Sequence, residues 1–145
     1  MDAGEVVAAK QACAELLARY AWAVNHGAPD VAAGLFTQDV VWERANGQAV
    51  HGRNGMRDVF EGIARRMEDR VLRHVNGAVL IDVVDADHAT FWSQAVEYLH
   101  DAPSTLPAPL SGPRGVVEYN GTCVRVDGTW FIASGTATAL FRRDD

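Results

Sequence analysis

The sequence predicts an α+β fold, with three helices in its first half packed against a curved antiparallel sheet built mostly by its second half. Three observations predict it. Apolar residues recur at helical steps in stretches that precede the run beginning at Val71. After that point come four long runs rich in Val, Thr, Phe, Trp and Tyr, the residues that suit a half-buried pleated surface. Short turn signals join these runs in pairs, which favours antiparallel neighbours with the helices gathered on one face. At 145 residues, with no internal repeat, one domain over 1–145 is expected.

The first helix is read as Glu5 to His26. Val6, Ala9, Cys13, Leu16, Leu17, Tyr20 and Val24 make one apolar stripe, and Gly27 ends it. Pro29 suits the first turn of a short second helix through about Phe36. Thr37-Gln38-Asp39 breaks that pattern, and Val40 to Arg44 reads as a strand. Asn46-Gly47 turns the chain into a short return strand, Ala49 to His51. Asn54 is the expected N-cap of a third helix running to about Glu68, with Met56, Val59, Phe60, Ile63 and Met67 on its stripe.

The run Val71 to His100 then reads as two long strands joined at Asp85-Ala86-Asp87. Each would reach roughly 35 Å at ~3.3 Å per residue, long enough to curve around a pocket. If Val84 faces Asp87, His74 faces Glu97; a three-residue loop would set His74 opposite Tyr98, because one residue of slip swaps the faces. The first register is preferred. It leaves His74, Asn76, Ser93 and Glu97 together on one face and collects Val75, Val79, Ile81, Val83, Trp92, Val96 and Tyr98 on the other. A His beside a carboxylate on a concave face is suited to proton transfer; a solvated surface pair is the plain alternative.

Asp101 to Gly115 holds four of the five prolines and reads as a loop, either a lid or a plain connection. Val116 to Val126 and Thr129 to Phe141 complete the sheet, closed by Asp127-Gly128, with Tyr119 opposite Thr136.

A formal charge of −6 gives a phosphate backbone no basic footprint, so no nucleic-acid partner is expected. Arg65, Arg66, Arg70 and Arg73 read as a solvated face or as cations at a helix C-terminus. No apolar run reaches the ~18 residues of a membrane span, and the acidic start MDAGEVVAAK has no signal core. A cytoplasmic protein with Cys13 and Cys123 reduced and buried is therefore expected. The five histidines show no ligand spacing, so neither a metal nor a cofactor is expected.

The stretches LLARYAWAVNHGAPDVAAGLFTQDVVWE (16–43), VHGRNGMRDVF (50–60), RHVNGAVLIDV (73–83) and CVRVDGTWFIAS (123–134) together resemble the nuclear transport factor 2-like superfamily, in its SnoaL-like branch of polyketide cyclases and scytalone dehydratases. The resemblance covers nearly the whole chain. It implies a cone-shaped, cystatin-like roll that hosts dehydratases, isomerases, cyclases, non-catalytic binders and transport factors. It places His74 on the catalytic base of scytalone-dehydratase-like members, Glu97 near the acidic partner of steroid dehydratases, and Tyr20 on the tyrosine that donates to the substrate oxygen in ketosteroid isomerases. Tyr119 falls on a pocket tyrosine. The isomerase's two aspartates fall on Arg44 and Thr122, which argues against that machinery. The aspartate ending the first helix of scytalone dehydratase becomes Asn25, and Gly135 replaces an arginine common in the branch.

The reading is a cofactor-independent enzyme acting on a hydrophobic polyketide-, steroid- or terpenoid-like small molecule. His74, Glu97 and Tyr20 would carry the proton chemistry of a dehydration, isomerisation or aldol-type ring closure. Tyr119, Asn25, Asn76, Trp42 and Phe60 would line the substrate site. A non-catalytic binder and a protein-interaction module are the alternatives. The resemblance also implies a homodimer through the open sheet face, which the long strands permit, since that face uncovered would be a large apolar patch.

Overall fold

The structure is a computed structural model and describes residues 1–144. Helix α1 spans Ala3–Asn25. It starts two residues earlier than the expected Glu5 because Asp2 caps it: the Asp2 carboxylate accepts from the Glu5 backbone N–H, and Glu5 accepts back from that of Asp2. Cys13, Leu16, Leu17 and Val24 on α1 are buried. Helix α2 is only Pro29–Ala33. The expected extension to Phe36 fails because Phe36 is already sheet. It is fully buried and pairs with Ile132, whose N–H donates to the Leu35 carbonyl. Strand β1 therefore runs Phe36–Glu43, and absorbs Thr37-Gln38-Asp39 through an irregularity in its pairing.

After β2 (Ala49–His51) comes α3 (Gly52–Arg66), whose N-cap position is His51. Asn54 is not the cap; it already lies inside the helix, and its side-chain oxygen accepts from Arg57. Gly52, at φ +78, makes the strand-to-helix corner.

Strands β3 (Val71–Asp85), β4 (His88–His100), β5 (Gly115–Val126) and β6 (Thr129–Arg142) lie close to their expected bounds. Across the sheet the order is β2-β1-β6-β5-β4-β3. The sheet is curved as expected but mixed, because β1 and β6 run parallel while the other neighbours are antiparallel.

Both long hairpins change register along their length. His74 pairs with Glu97 as expected, and the same register holds from Val71 to Asn76. An irregularity between Asn76 and Val79 then shifts the pairing by one residue. Ile81 thereby turns inward and is buried, whereas Val75 is exposed; the two were expected to share a face. The second hairpin slips likewise between Thr122 and Cys123, so Tyr119 faces Ala137 instead of Thr136. Its turn, with φ +50 at Asp127 and +80 at Gly128, has both residues in the left-handed region that a two-residue hairpin favours.

The helices pack on the inner face. Phe36, Val40, Met56 and Ile132, together with Cys13 from α1 and Cys123 from β5 as free thiols, are the most deeply buried side chains. The proline-rich segment 101–114 is fastened at its end, where Arg143 donates to the carbonyls of Ser111 and Pro113. No helix is long and apolar enough to cross a membrane among the described residues.

Candidate active site

Strand directions bring five chain ends to one end of the sheet. β1, β4 and β6 finish there, and β3 and β5 begin there. The C-terminal turn of α1 meets β3 at the same end, through Asn25 and His74. Here the inner face opens into a cavity of about 240 Å³. Its apolar wall comes from α1, α3 and the sheet and includes Val24, Met56, Phe60, Leu72 and Val117. Its polar groups are fewer: His74, Glu97, Tyr20, Tyr119, Asn46 and four arginines. Such a mixture is what small-molecule sites present.

His74 and Glu97 stand side by side in this wall, with Nε2 at 3.1 Å from Oε2. The pairing follows from the regular stretch of hairpin beneath them. Asn25 holds the other side of the ring. Its side-chain Oδ1 accepts from the His74 backbone N–H at 2.8 Å and lies 3.1 Å from His74 Nδ1. Its Nδ2 donates to the His74 carbonyl at 3.3 Å. A backbone N–H can only donate, so the atom facing it must be the amide oxygen. His74 Nδ1 must then carry a proton to donate to that same oxygen. The remaining nitrogen, Nε2, faces a carboxylate, and that contact is a hydrogen bond only if one proton lies between them. Both imidazole nitrogens are thus engaged, one by Asn25 and one by Glu97.

Glu97 also meets Arg114, with Oε1 at 3.3 Å from Nη1. The hydrogen bond from His74, opposed by burial and reinforced by the charges of His74, Arg114 and Arg142, holds the Glu97 carboxyl below the usual range. The carboxylate is accordingly ionised at neutral pH and faces the imidazole as an acceptor.

Tyr20 and Tyr119 come from α1 and β5, with ring centroids 6.0 Å apart. Burial pushes the Tyr20 hydroxyl up to about 12, against the lowering effect of the Tyr119 hydroxyl and of Arg44. Burial likewise raises Tyr119 well above its ordinary value. Both stay protonated and can donate. Trp42 packs against Tyr20, Phe36 and Tyr119, and Phe60 packs against Tyr20, so both aromatics are at once core and cavity wall.

Asn76 sits one step deeper than His74, beside Ser93, Tyr119 and a small separate void. It does not line the main cavity. Asn25 supports His74 from behind and is also absent from the cavity lining. Of the proline-rich segment only Arg114 reaches the cavity, so the lid reading gives way to that of a fastened connection. Read from the sequence alone, Arg66 is a solvated or helix-terminal cation, Arg44 marks only a departure from the isomerases and Arg142 passes unnoticed, since each taken singly is an ordinary surface cation near an element's end. Among the described residues no three His, Cys, Asp or Glu side chains gather as a metal's ligand set would.

The family profile of the SnoaL-like domain matches residues 5–136. No curated protein matches the chain. Among solved structures, a scytalone-dehydratase-like protein from Novosphingobium aromaticivorans is similar at 20% identity and a TM-score of 0.83, over 99% of this chain and 92% of that one. A hexachlorocyclohexane dehydrochlorinase (LinA type 2) superposes with a TM-score of 0.77 at 14% identity, over 98% and 92%. A point variant of Rv3472, a protein of unknown function from Mycobacterium tuberculosis, is 26% identical over 89% of this chain and 70% of that one, with a TM-score of 0.71. At such identities the first two similarities speak for the fold alone.

Proposed function

Because the chain belongs to the SnoaL-like domain family, we propose that it is a cofactor-independent enzyme that moves a proton on a hydrophobic cyclic small molecule. The observation that carries this is the 3.1 Å contact of His74 Nε2 with a Glu97 carboxylate oxygen in the wall of the cavity. The roles expected from the sequence are exchanged in this proposal. Asn25 and Glu97 occupy both imidazole nitrogens, so the basic atom a substrate meets without displacing anything is a carboxylate oxygen of Glu97. Glu97 takes the proton from a carbon next to a carbonyl, and His74, through its Nε2, holds the carboxylate in place. Tyr20 and Tyr119 donate to the oxygen on which enolate charge develops. Returning the proton to another carbon is isomerisation, and returning it to a departing hydroxyl is dehydration. Attack of the enolate on a second carbonyl of the same molecule is ring closure. The activities named for the two similar enzymes, a dehydratase and a dehydrochlorinase, are eliminations of the same general kind.

Deuterium tests the reading directly. Incubated in heavy water with a panel of one- and two-ring ketones, the protein should speed exchange at the carbon next to the carbonyl of those that bind. Tight binding of a ketone with no exchange above the buffer rate would leave a non-catalytic binding protein. That second reading draws on Asn25, an amide that takes up no proton where scytalone dehydratase has an aspartate. The open cavity speaks against the protein-interaction reading, which requires a filled interior.

Asn25 acts through His74 and is a positioning residue. Asn25→Leu keeps much of its volume but leaves the His74 N–H and Nδ1 without their acceptor. Loss of such a partner costs about 1–3 kcal/mol. Urea unfolding should show a loss of that size, and Asn25→Asp, which restores an acceptor, should recover most of it. Equal stability of the Leu variant and the parent protein would show that the amide does not position the ring.

A further inference from the structure

We propose that the ligand of this cavity carries an anionic oxygen group, a carboxylate or a phosphate ester, seated at the mouth by Arg44, Arg66 and Arg142, with one or two rings in the apolar part beneath. The proposal rests on the cavity's being a small-molecule site, and not on whether catalysis occurs there.

The charge balance carries it. The chain has 19 acidic against 13 basic residues, yet its cavity is lined by four arginines and a single carboxylate, Glu97. Outside the cavity, Arg19 pairs with Glu15, Arg57 with Asp30, Arg70 with Asp69 and Asp101, and Arg125 with Asp87, while Arg53, Arg73 and Arg143 spend their donors on backbone carbonyls. At the mouth only Arg114 does, and its partner is Glu97. Among the described residues, Arg44, Arg66 and Arg142 have no carboxylate within 4.0 Å. Arg44 is held by the side chain of Gln48 at 2.8 Å, which orients its guanidinium without neutralising it.

These three residues come from the end of β1, the last residue of α3 and the last residue of β6. Arg66 alone is explained as a cation at a helix C-terminus. Arg44 and Arg142 end strands, where no helix dipole calls for them. Their convergence at one rim in an acidic protein concentrates positive potential where a ligand enters. Planar guanidinium groups match the paired oxygens of a carboxylate or phosphate. The size of the space sets the rest. A protein cavity of about 150 Å³ accepts benzene, so 240 Å³ has room for a two-ring system.

Calorimetric titration of the full chain at low ionic strength with three probes of one shape decides the matter: 2-naphthoate, 2-naphthyl phosphate and the neutral 2-naphthamide. At least one anion should bind roughly tenfold or more tighter than the amide, and the preference should shrink as salt screens the rim. The tighter of the two anions identifies the group. Arg66→Gln and Arg142→Gln should each weaken the anion and leave the amide unchanged. Equal or tighter binding of the amide overturns the anionic group while the cavity stands as a ligand site. Binding of none of the three overturns this proposal and the small-molecule reading together, whereas exchange of deuterium without an anion preference would overturn this proposal alone.

Discussion

Glu97→Gln is expected to lower turnover by about 10²–10⁴-fold, the usual contribution of a positioned acid or base, while leaving the fold intact. The amide keeps the shape of the carboxyl group. It can turn its NH₂ towards the His74 nitrogen, so the contact seen at 3.1 Å survives and only the ionisable acceptor is lost. His74→Gln should fall in the same range by removing the ring that holds the carboxylate. The double variant should be little worse than either single one, because the two residues are in direct contact and act as a unit. Steady-state rates on any compound identified by deuterium exchange provide the check. Multiplying losses in the double variant would mean two independent roles, and unchanged turnover in Glu97→Gln would remove Glu97 from the chemistry.

The same pair makes stability depend on pH in a definite direction. The folded carboxyl of Glu97 lies below its ordinary value of 4.5. As the medium is acidified through that region, the unfolded chain therefore takes up the proton first. The stabilisation contributed by ionised Glu97 is complete above about pH 4.5 and is lost as the pH falls through the lower, folded value. Urea midpoints of the parent protein and of Glu97→Gln should accordingly converge in that acid window and separate above it.

How much of this the sequence reveals depends on where the hairpins are regular. His74 and Glu97 were legible because their partnership lies in a stretch that is regular from Val71 to Asn76 and counting pairs from the turn arrives at the right partner. The count arrives there because the true closure, at Asp85 and His88, lies one residue further along the chain and the two slips nearer the turn offset that displacement. The face of Ile81 was not legible, since the shift next to Gly77 leaves no mark in the alternation of residues. The helical stripe of residues 29–36 misled for another reason. Phe36 fits a helix by local pattern, and only its long-range pairing with Ile132 makes it strand. The rim arginines lay furthest from view. Arg44, Arg66, Arg114 and Arg142 are brought to one mouth by the directions of their elements alone, and no local motif announces that.

Gly135 shows the same gap between seeing a departure and knowing its cause, and it yields the second large effect. The sequence shows glycine where the SnoaL-like branch commonly has arginine. In the fold, Gly135 pairs with Trp42 across the parallel β1–β6 contact, and the indole lies directly over it. A Cβ placed at 135 would meet the ring, with Cε3 at 2.8 Å and Cζ3 nearer still, closer than side chains approach. Trp42 cannot simply move aside, because Phe36 and Tyr119 pack against its ring with centroids at 5.6 and 6.2 Å. An indole has taken the place that a side chain at 135 would need. Gly135→Arg should therefore destabilise the protein by about 3 kcal/mol, the upper part of the range for overpacking. It should also shift the emission of Trp42 as the ring is pushed into the cavity. Trp42→Ala empties the same space at a cost of about 3–5 kcal/mol. If the two residues compete for one volume, the double variant must lose less than the sum of the single losses. Urea unfolding of the four proteins measures this, and strictly additive losses would show that Trp42 is not what the glycine accommodates.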